Sequence, residues 1–76
     1  MTTVDKLIIA ANEGKKFKKL GNHRMEQNDK FIKFIYWSTT ICQVDKTTNA
    51  VSYNNGGWDT SSTNRAINAY KKYFGA

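Results

Sequence analysis

The stretch Gly56-Gly57-Trp58-Asp59-Thr60-Ser61-Ser62-Thr63-Asn64 joins a run of residues typical of a β-strand to a run typical of a helix. Two consecutive glycines tolerate positive φ angles, so the chain can turn sharply at this point. Trp58 supplies a large apolar anchor, and Asp59, Thr60 and Ser61 are residue types that cap helix N-termini. The stretch therefore predicts a corner between a sheet and a C-terminal helix.

The helix behind this corner is expected to begin at about residue 61 or 62 and to end at Gly75. Apolar residues recur there with a helical period, at Ala66, Ile67, Tyr70, Tyr73 and Phe74. The hydroxyls of residues 60–63 are expected to cap the helix. The alternative is that they hold a phosphate together with the free N–H groups of the first turn, although the lysine of a P-loop is missing.

The sheet in front of the corner is predicted from two runs. Residues 30–44 are rich in aromatic and β-branched residues and contain no glycine or proline, which predicts one long strand. Because strands usually have about five or six residues, a bend or bulge is expected at Ser38-Thr39. Residues 50–54 predict a further strand, which pairs with residues 40–44 as a hairpin across the polar loop 45–49.

The N-terminal third predicts a helix over residues 3–13, because Val4, Leu7, Ile8 and Ala11 make one apolar stripe. Thr2 or Thr3 is the expected N-cap, and Gly14 ends the helix. A short irregular strand is expected within residues 16–26. The whole chain, residues 1–76, is thus predicted to be one α+β domain of two layers, in the order helix, three-stranded antiparallel sheet, helix (αβββα).

The composition excludes several classes of function. Cys42 is the only cysteine, so neither an internal disulfide nor a cysteine zinc site is possible, and a buried thiol is expected. The apolar segment 7–11 is too short for a signal peptide or a membrane span, so a cytoplasmic location is predicted. His23 lacks a neighbouring nucleophile and the six carboxylates are scattered singly, so we expect no enzyme, no metal and no cofactor. His23 is expected to join the basic surface.

Positive charge is concentrated in one segment. The formal net charge is +6, and Lys15, Lys16, Lys18, Lys19 and Arg24 fall within ten residues with no carboxylate among them. Such a cluster fits contact with nucleic acid, and it also fits a solvated surface with no partner. The full set of predicted contact residues adds three more, namely Lys30, Lys33 and Arg65.

Two family resemblances bear on these alternatives. Trp37-Ser38-Thr39-Thr40-Ile41, the corner at residues 56–63 and Ile67-Asn68 resemble a pattern of small uncharacterised bacteriophage proteins, over about residues 36–70. This resemblance implies a phage protein made in a bacterial cell and implies no activity. The predicted order of elements is also similar to that of double-stranded RNA-binding domains. Their lysine cluster at the start of the last helix is absent, because residues 60–65 carry only Arg65.

Two functions are therefore predicted. The first is non-enzymatic binding of nucleic acid through the lysine-rich segment. The alternative is an inhibitor that binds a host protein or ribonucleoprotein of a bacterial defence system, such as an anti-CRISPR protein. A homodimer is compatible with both, because one long strand over residues 30–44 would leave an apolar edge to be covered.

Overall fold

A computed structural model describes residues 2–57 and 60–75 of the chain. Helix α1 (Thr3–Asn12) precedes one five-stranded sheet, and helix α2 (Ser61–Phe74) follows it. The strands are β1 (Phe17–Leu20), β2 (His23–Gln27), β3 (Phe31–Tyr36), β4 (Thr39–Asp45) and β5 (Val51–Tyr53). Each pairs antiparallel with its neighbours in sequence. The α+β class is confirmed, with one helix before and one helix after an antiparallel sheet in sequence, but the sheet has five strands instead of the predicted three.

The first additional strand comes from residues 16–26, where a single irregular strand was predicted. The chain instead forms the hairpin β1–β2, in which Leu20 lies opposite His23. Only Gly21 and Asn22 remain in the loop, and Gly21 has a φ of 61°. A two-residue hairpin loop with a positive φ at its first position favours glycine there, so Gly21 allows the reversal.

The second additional strand comes from residues 30–44, where one long strand was predicted. The chain reverses at Trp37-Ser38, so that Tyr36 lies opposite Thr39 and the run becomes the hairpin β3–β4. A change of register between Phe34 and Ile35 leaves Ile41 as the extra residue of a bulge in β4. Ser38-Thr39 is therefore the end of a turn, and the bulge lies further along β4.

The remaining elements agree with the prediction. Strands β4 and β5 form the expected hairpin, with Cys42 opposite Tyr53. Helix α1 begins with a capping box, in which Thr2 Oγ1 accepts a hydrogen bond from the Asp5 backbone N–H at 3.1 Å. Helix α2 begins after Thr60, whose hydroxyl accepts from the Thr63 N–H at 3.2 Å, and it ends at Gly75, with a φ of 71°.

Both helices pack on one face of the sheet. The core joins the buried side chains of α1 and α2 to those of the central strands, and the Tyr70 and Phe34 rings lie 4.6 Å apart between centroids. Cys42 is buried in this core, as predicted. Tyr73 was expected on the buried stripe of α2, but it is 53% exposed.

The sheet edges lie elsewhere than the sequence suggested. Because β3 and β4 are both interior strands, the apolar run 30–44 presents no free edge, and the reason for expecting a homodimer disappears. The edges are the short strands β1 and β5. The five strands between the helices differ from the order helix, three strands, helix on which the likeness to double-stranded RNA-binding domains was based. Among the described residues, no helix has the length and apolarity needed to cross a bilayer.

Candidate nucleic-acid interface

The lysine-rich segment forms one edge of the sheet. It begins in the linker after α1, runs along β1, and reaches β2 because Lys19 lies directly opposite Arg24. Since alternate residues of a strand point to opposite faces, Lys19 lies on the face away from the helices and Lys18 on the helix side. We call this set the basic edge; its members are Lys15, Lys16, Lys18, Lys19 and Arg24.

Most of the charge on the basic edge is uncompensated. Within residues 2–57 and 60–75, Lys16 Nζ lies 3.9 Å from Asp29 Oδ1, and Arg24 Nε lies 2.7 Å from Glu26 Oε2. The first pair is largely exposed to solvent, where water and salt screen it. The second orients the Arg24 guanidinium along β2. Lys15, Lys18 and Lys19 make no ion pair in this part of the chain, so the edge keeps a net positive charge.

A small cleft lies where the basic edge reaches the end of the sheet. The loops of the hairpins β1–β2 and β3–β4 meet there, and the Trp37 N–H donates to the Asn22 carbonyl oxygen at 2.8 Å. We call this the turn-end cleft. Its volume is about 280 Å³, and it is lined by Lys19, Gly21, Asn22, His23, Arg24, Trp37 and Ser38. Two cations of the basic edge thus share a depression with a histidine and a tryptophan.

His23 borders this cleft, in surroundings that disfavour the charged form of its ring. Its ring packs against the Tyr36 ring, with centroids 4.5 Å apart, and its Nδ1 is buried without a hydrogen-bond partner in the described residues. Burial lowers the pKa of His23 below its usual value of 6.5, because desolvation disfavours the imidazolium. His23 therefore contributes a neutral ring to the basic surface that it was predicted to join.

Three of the predicted contact residues lie apart from the basic edge. Lys30 is in the β2–β3 turn, at the end of the sheet opposite the turn-end cleft. Lys33 is on β3 with Glu26 as its neighbour across the strands, so a carboxylate separates it from the cluster. Arg65 is exposed on α2, in the helix layer. The structure thus brings five of the eight predicted residues together.

Trp37 lines the turn-end cleft but is not among the predicted contact residues, because residue 37 was assigned to the interior of a long strand. Its side chain is 63% exposed. The signal available was the length of the 30–44 run, which is enough for two strands of ordinary length.

The corner at residues 56–64 has a structural role in the part that is described. Thr60 caps α2, and its hydroxyl also donates to Thr63 Oγ1 at 3.0 Å, as the capping prediction required. The predicted anchor Trp58 and the candidate cap Asp59 lie outside the described residues. A cleft of about 520 Å³ separates the β3–β4 turn from the start of α2 and is lined mainly by apolar atoms and hydroxyls. No group of three or more His, Cys, Asp or Glu side chains suited to a metal occurs within the residues described.

Comparison with known proteins adds no further constraint to this geometry. Neither a protein-family model, nor a curated protein, nor a solved structure matches the chain.

Proposed function

We propose that this small basic protein binds nucleic acid without catalysis, through the basic edge. The observation that supports the proposal most strongly is the grouping of five cationic residues at one edge of the sheet, in the linker before β1, on β1 and on its β2 partner. Three of them make no ion pair in the described residues. Phosphates repeat at short intervals along a nucleic-acid strand, so a cluster of cations at one edge of the sheet can contact several of them. Two predictions made from the sequence remain predictions: that the protein is made in a bacterial cell infected by a phage, and, as the alternative function, that it inhibits a host defence system.

Salt dependence tests this proposal, because neutralised phosphates release counterions. If the basic edge neutralises about five phosphates of a duplex, log K falls with log salt concentration with a slope of about −4.5. Fluorescence anisotropy of a labelled 20-bp duplex, titrated with protein between about 50 and 200 mM salt, measures this slope.

Matched charge variants locate the contact. The triple variant Lys15→Gln/Lys16→Gln/Lys19→Gln removes three exposed charges from the basic edge, and we expect the slope to weaken by about 2.7. Lys6→Gln/Lys46→Gln/Lys72→Gln removes the same charge from exposed residues elsewhere and should leave the slope nearly unchanged. Absence of binding to both the duplex and a single strand at low salt, or equal effects of the two triple variants, would overturn the proposal.

A further inference from the structure

Trp37 occupies a backbone position that folding alone would give to another residue. It is the first residue of the two-residue β3–β4 loop and has a φ of 59°. The equivalent position of the β1–β2 loop is Gly21, with a φ of 61°. A bulky residue is strained at such an angle, whereas glycine is not. Since Trp37 is 63% exposed, the burial of its side chain offsets little of the free-energy cost of this strain.

Contact with a ligand would explain why an exposed aromatic residue occupies this strained position. Backbone strain persists where the surrounding structure holds it, and it concentrates at binding sites. The bond from the Trp37 N–H to the Asn22 carbonyl ties the strained loop to the neighbouring hairpin. The Tyr36 ring meets the Trp37 indole edge-on at 6.3 Å and lies 4.5 Å from His23. The Trp37 indole is thus exposed to solvent, while the backbone hydrogen bond and the Tyr36 ring hold the residue in place.

The surroundings of Trp37 define the chemistry of that ligand. Lys19, Arg24 and Trp37 line the turn-end cleft together, so an aromatic residue and two cations border the same depression. A nucleotide carries the complementary groups, a flat base and negatively charged phosphates, joined through its sugar. Aromatic side chains stack with bases that are unpaired and unstacked, since the bases of a duplex already cover one another.

We propose that Trp37 stacks on an unpaired base while Lys19 and Arg24 contact the adjoining phosphates, so that the protein selects single-stranded nucleic acid. This inference rests on the proposed function and adds the class of substrate. The basic edge extends the same track for the phosphates that follow. The base contact is made at the turn-end cleft, where the edge meets the exposed ring.

The test compares three probes of equal length: a (dT)12 strand, an abasic 12-mer with the same phosphates, and a 12-bp duplex. The variant Trp37→Gly suits the positive φ and is expected to fold, which its thermal unfolding curve verifies. We expect it to bind (dT)12 about 5- to 150-fold more weakly than the wild type, which corresponds to one lost stacked base. Its affinity for the abasic strand and for the duplex should change less than about twofold, because those probes offer no base to stack.

Two further variants make the result specific. Trp37→Phe should keep most of the affinity for (dT)12, because a phenyl ring still stacks. Tyr73→Ala removes another exposed aromatic ring, 53% exposed on α2, and should have no effect on any probe. Unchanged affinity of Trp37→Gly for (dT)12, or an equal loss on all three probes, would refute the stacking role and leave the proposed function standing. If the wild type binds none of the probes at low salt, the proposed function fails and this inference with it.

Discussion

Gly56 is the residue whose identity the fold constrains most visibly. It has a φ of 62°, and a Cβ built on it would lie 2.6 Å from Thr39 Cγ2. The neighbouring Gly57 has a φ of 85° and open space at the same position. The two glycines therefore share a conformational requirement, and only Gly56 has a packing requirement as well.

This difference gives a prediction with a built-in control. Gly57→Ala should lower the free energy of unfolding by about 1–2 kcal/mol, the cost of a side chain in the left-handed region. Gly56→Ala should cost about 1–3 kcal/mol more, because the methyl group overlaps Thr39. Urea denaturation measures both values. In a Thr39→Ala background the excess should disappear, and if it persists, the contact with Thr39 is not its cause.

His23 predicts a dependence of stability on pH. Its pKa is lowered in the folded state by burial, so the unfolded chain binds the proton more readily. The stability that neutral His23 contributes is present above the unfolded pKa of about 6.5 and is lost as the pH falls through that value towards the folded pKa. We expect urea denaturation to show this loss between about pH 7.5 and pH 5.5.

The variant His23→Gln isolates the effect, since glutamine does not titrate. Its free energy of unfolding should vary less over the same pH range, whatever its value at neutral pH. Parallel curves for the wild type and the variant would mean that desolvation does not disfavour the charged ring.

At the scale of elements, packing between α2 and β3 depends on the Tyr70 ring. The side chain has no exposed surface, and its hydroxyl finds no hydrogen-bond partner among the described residues. Burial raises the pKa of Tyr70, mainly because an ionised phenol would be desolvated. The ring supplies apolar contact, and the hydroxyl adds a desolvation cost.

Tyr70→Phe should therefore leave the free energy of unfolding unchanged or raise it by up to about 1 kcal/mol, since it removes an unpaired polar group. Tyr70→Ala should lower it by about 3–5 kcal/mol, because it opens a cavity between α2 and the sheet. Chemical denaturation of both variants measures these changes. A loss above about 1 kcal/mol in Tyr70→Phe would show that the hydroxyl has a partner.

The elements also show how far the sequence predicts this fold. Helix α1, helix α2 and the β4–β5 hairpin carry local signals in their apolar periodicity, caps and polar loop, and these were predicted nearly to the residue. Strand β1 lacks an alternating pattern because it is an edge strand with Lys18 and Lys19 on opposite faces, so the β1–β2 hairpin was read as one strand. The turn at Trp37-Ser38 has no glycine or asparagine, and nothing local marks it.

The candidate site was likewise predicted only where its residues give a local signal in the sequence. Its lysines are consecutive or nearly so in sequence, and a charge count finds them without knowledge of the fold. Arg24 joins them through the β1–β2 register. Trp37 joins only because two hairpin loops meet at one end of the sheet, a contact between distant segments that local patterns do not encode. The β2–β3 register places Lys33 opposite Glu26, and Arg65 lies on α2, in the other layer.

At the scale of the whole molecule, the two-layer architecture divides the surface by role. The helices occupy one face of the sheet, and the core lies between them and the sheet. The other face, the β1 edge and the end of the sheet with the hairpin loops remain accessible. The net charge of +6 favours encounter with polyanions over the whole surface, and we propose that such a partner binds at the basic edge.

The most direct test of this account is a ¹H–¹⁵N NMR titration of the labelled protein with (dT)12 at low salt. The account predicts that the largest amide shift changes fall on residues 15–24 and on Trp37, with Arg65 and the exposed side of α2 almost unchanged. Shift changes centred on α2, or the absence of any change at saturating oligonucleotide, would contradict it.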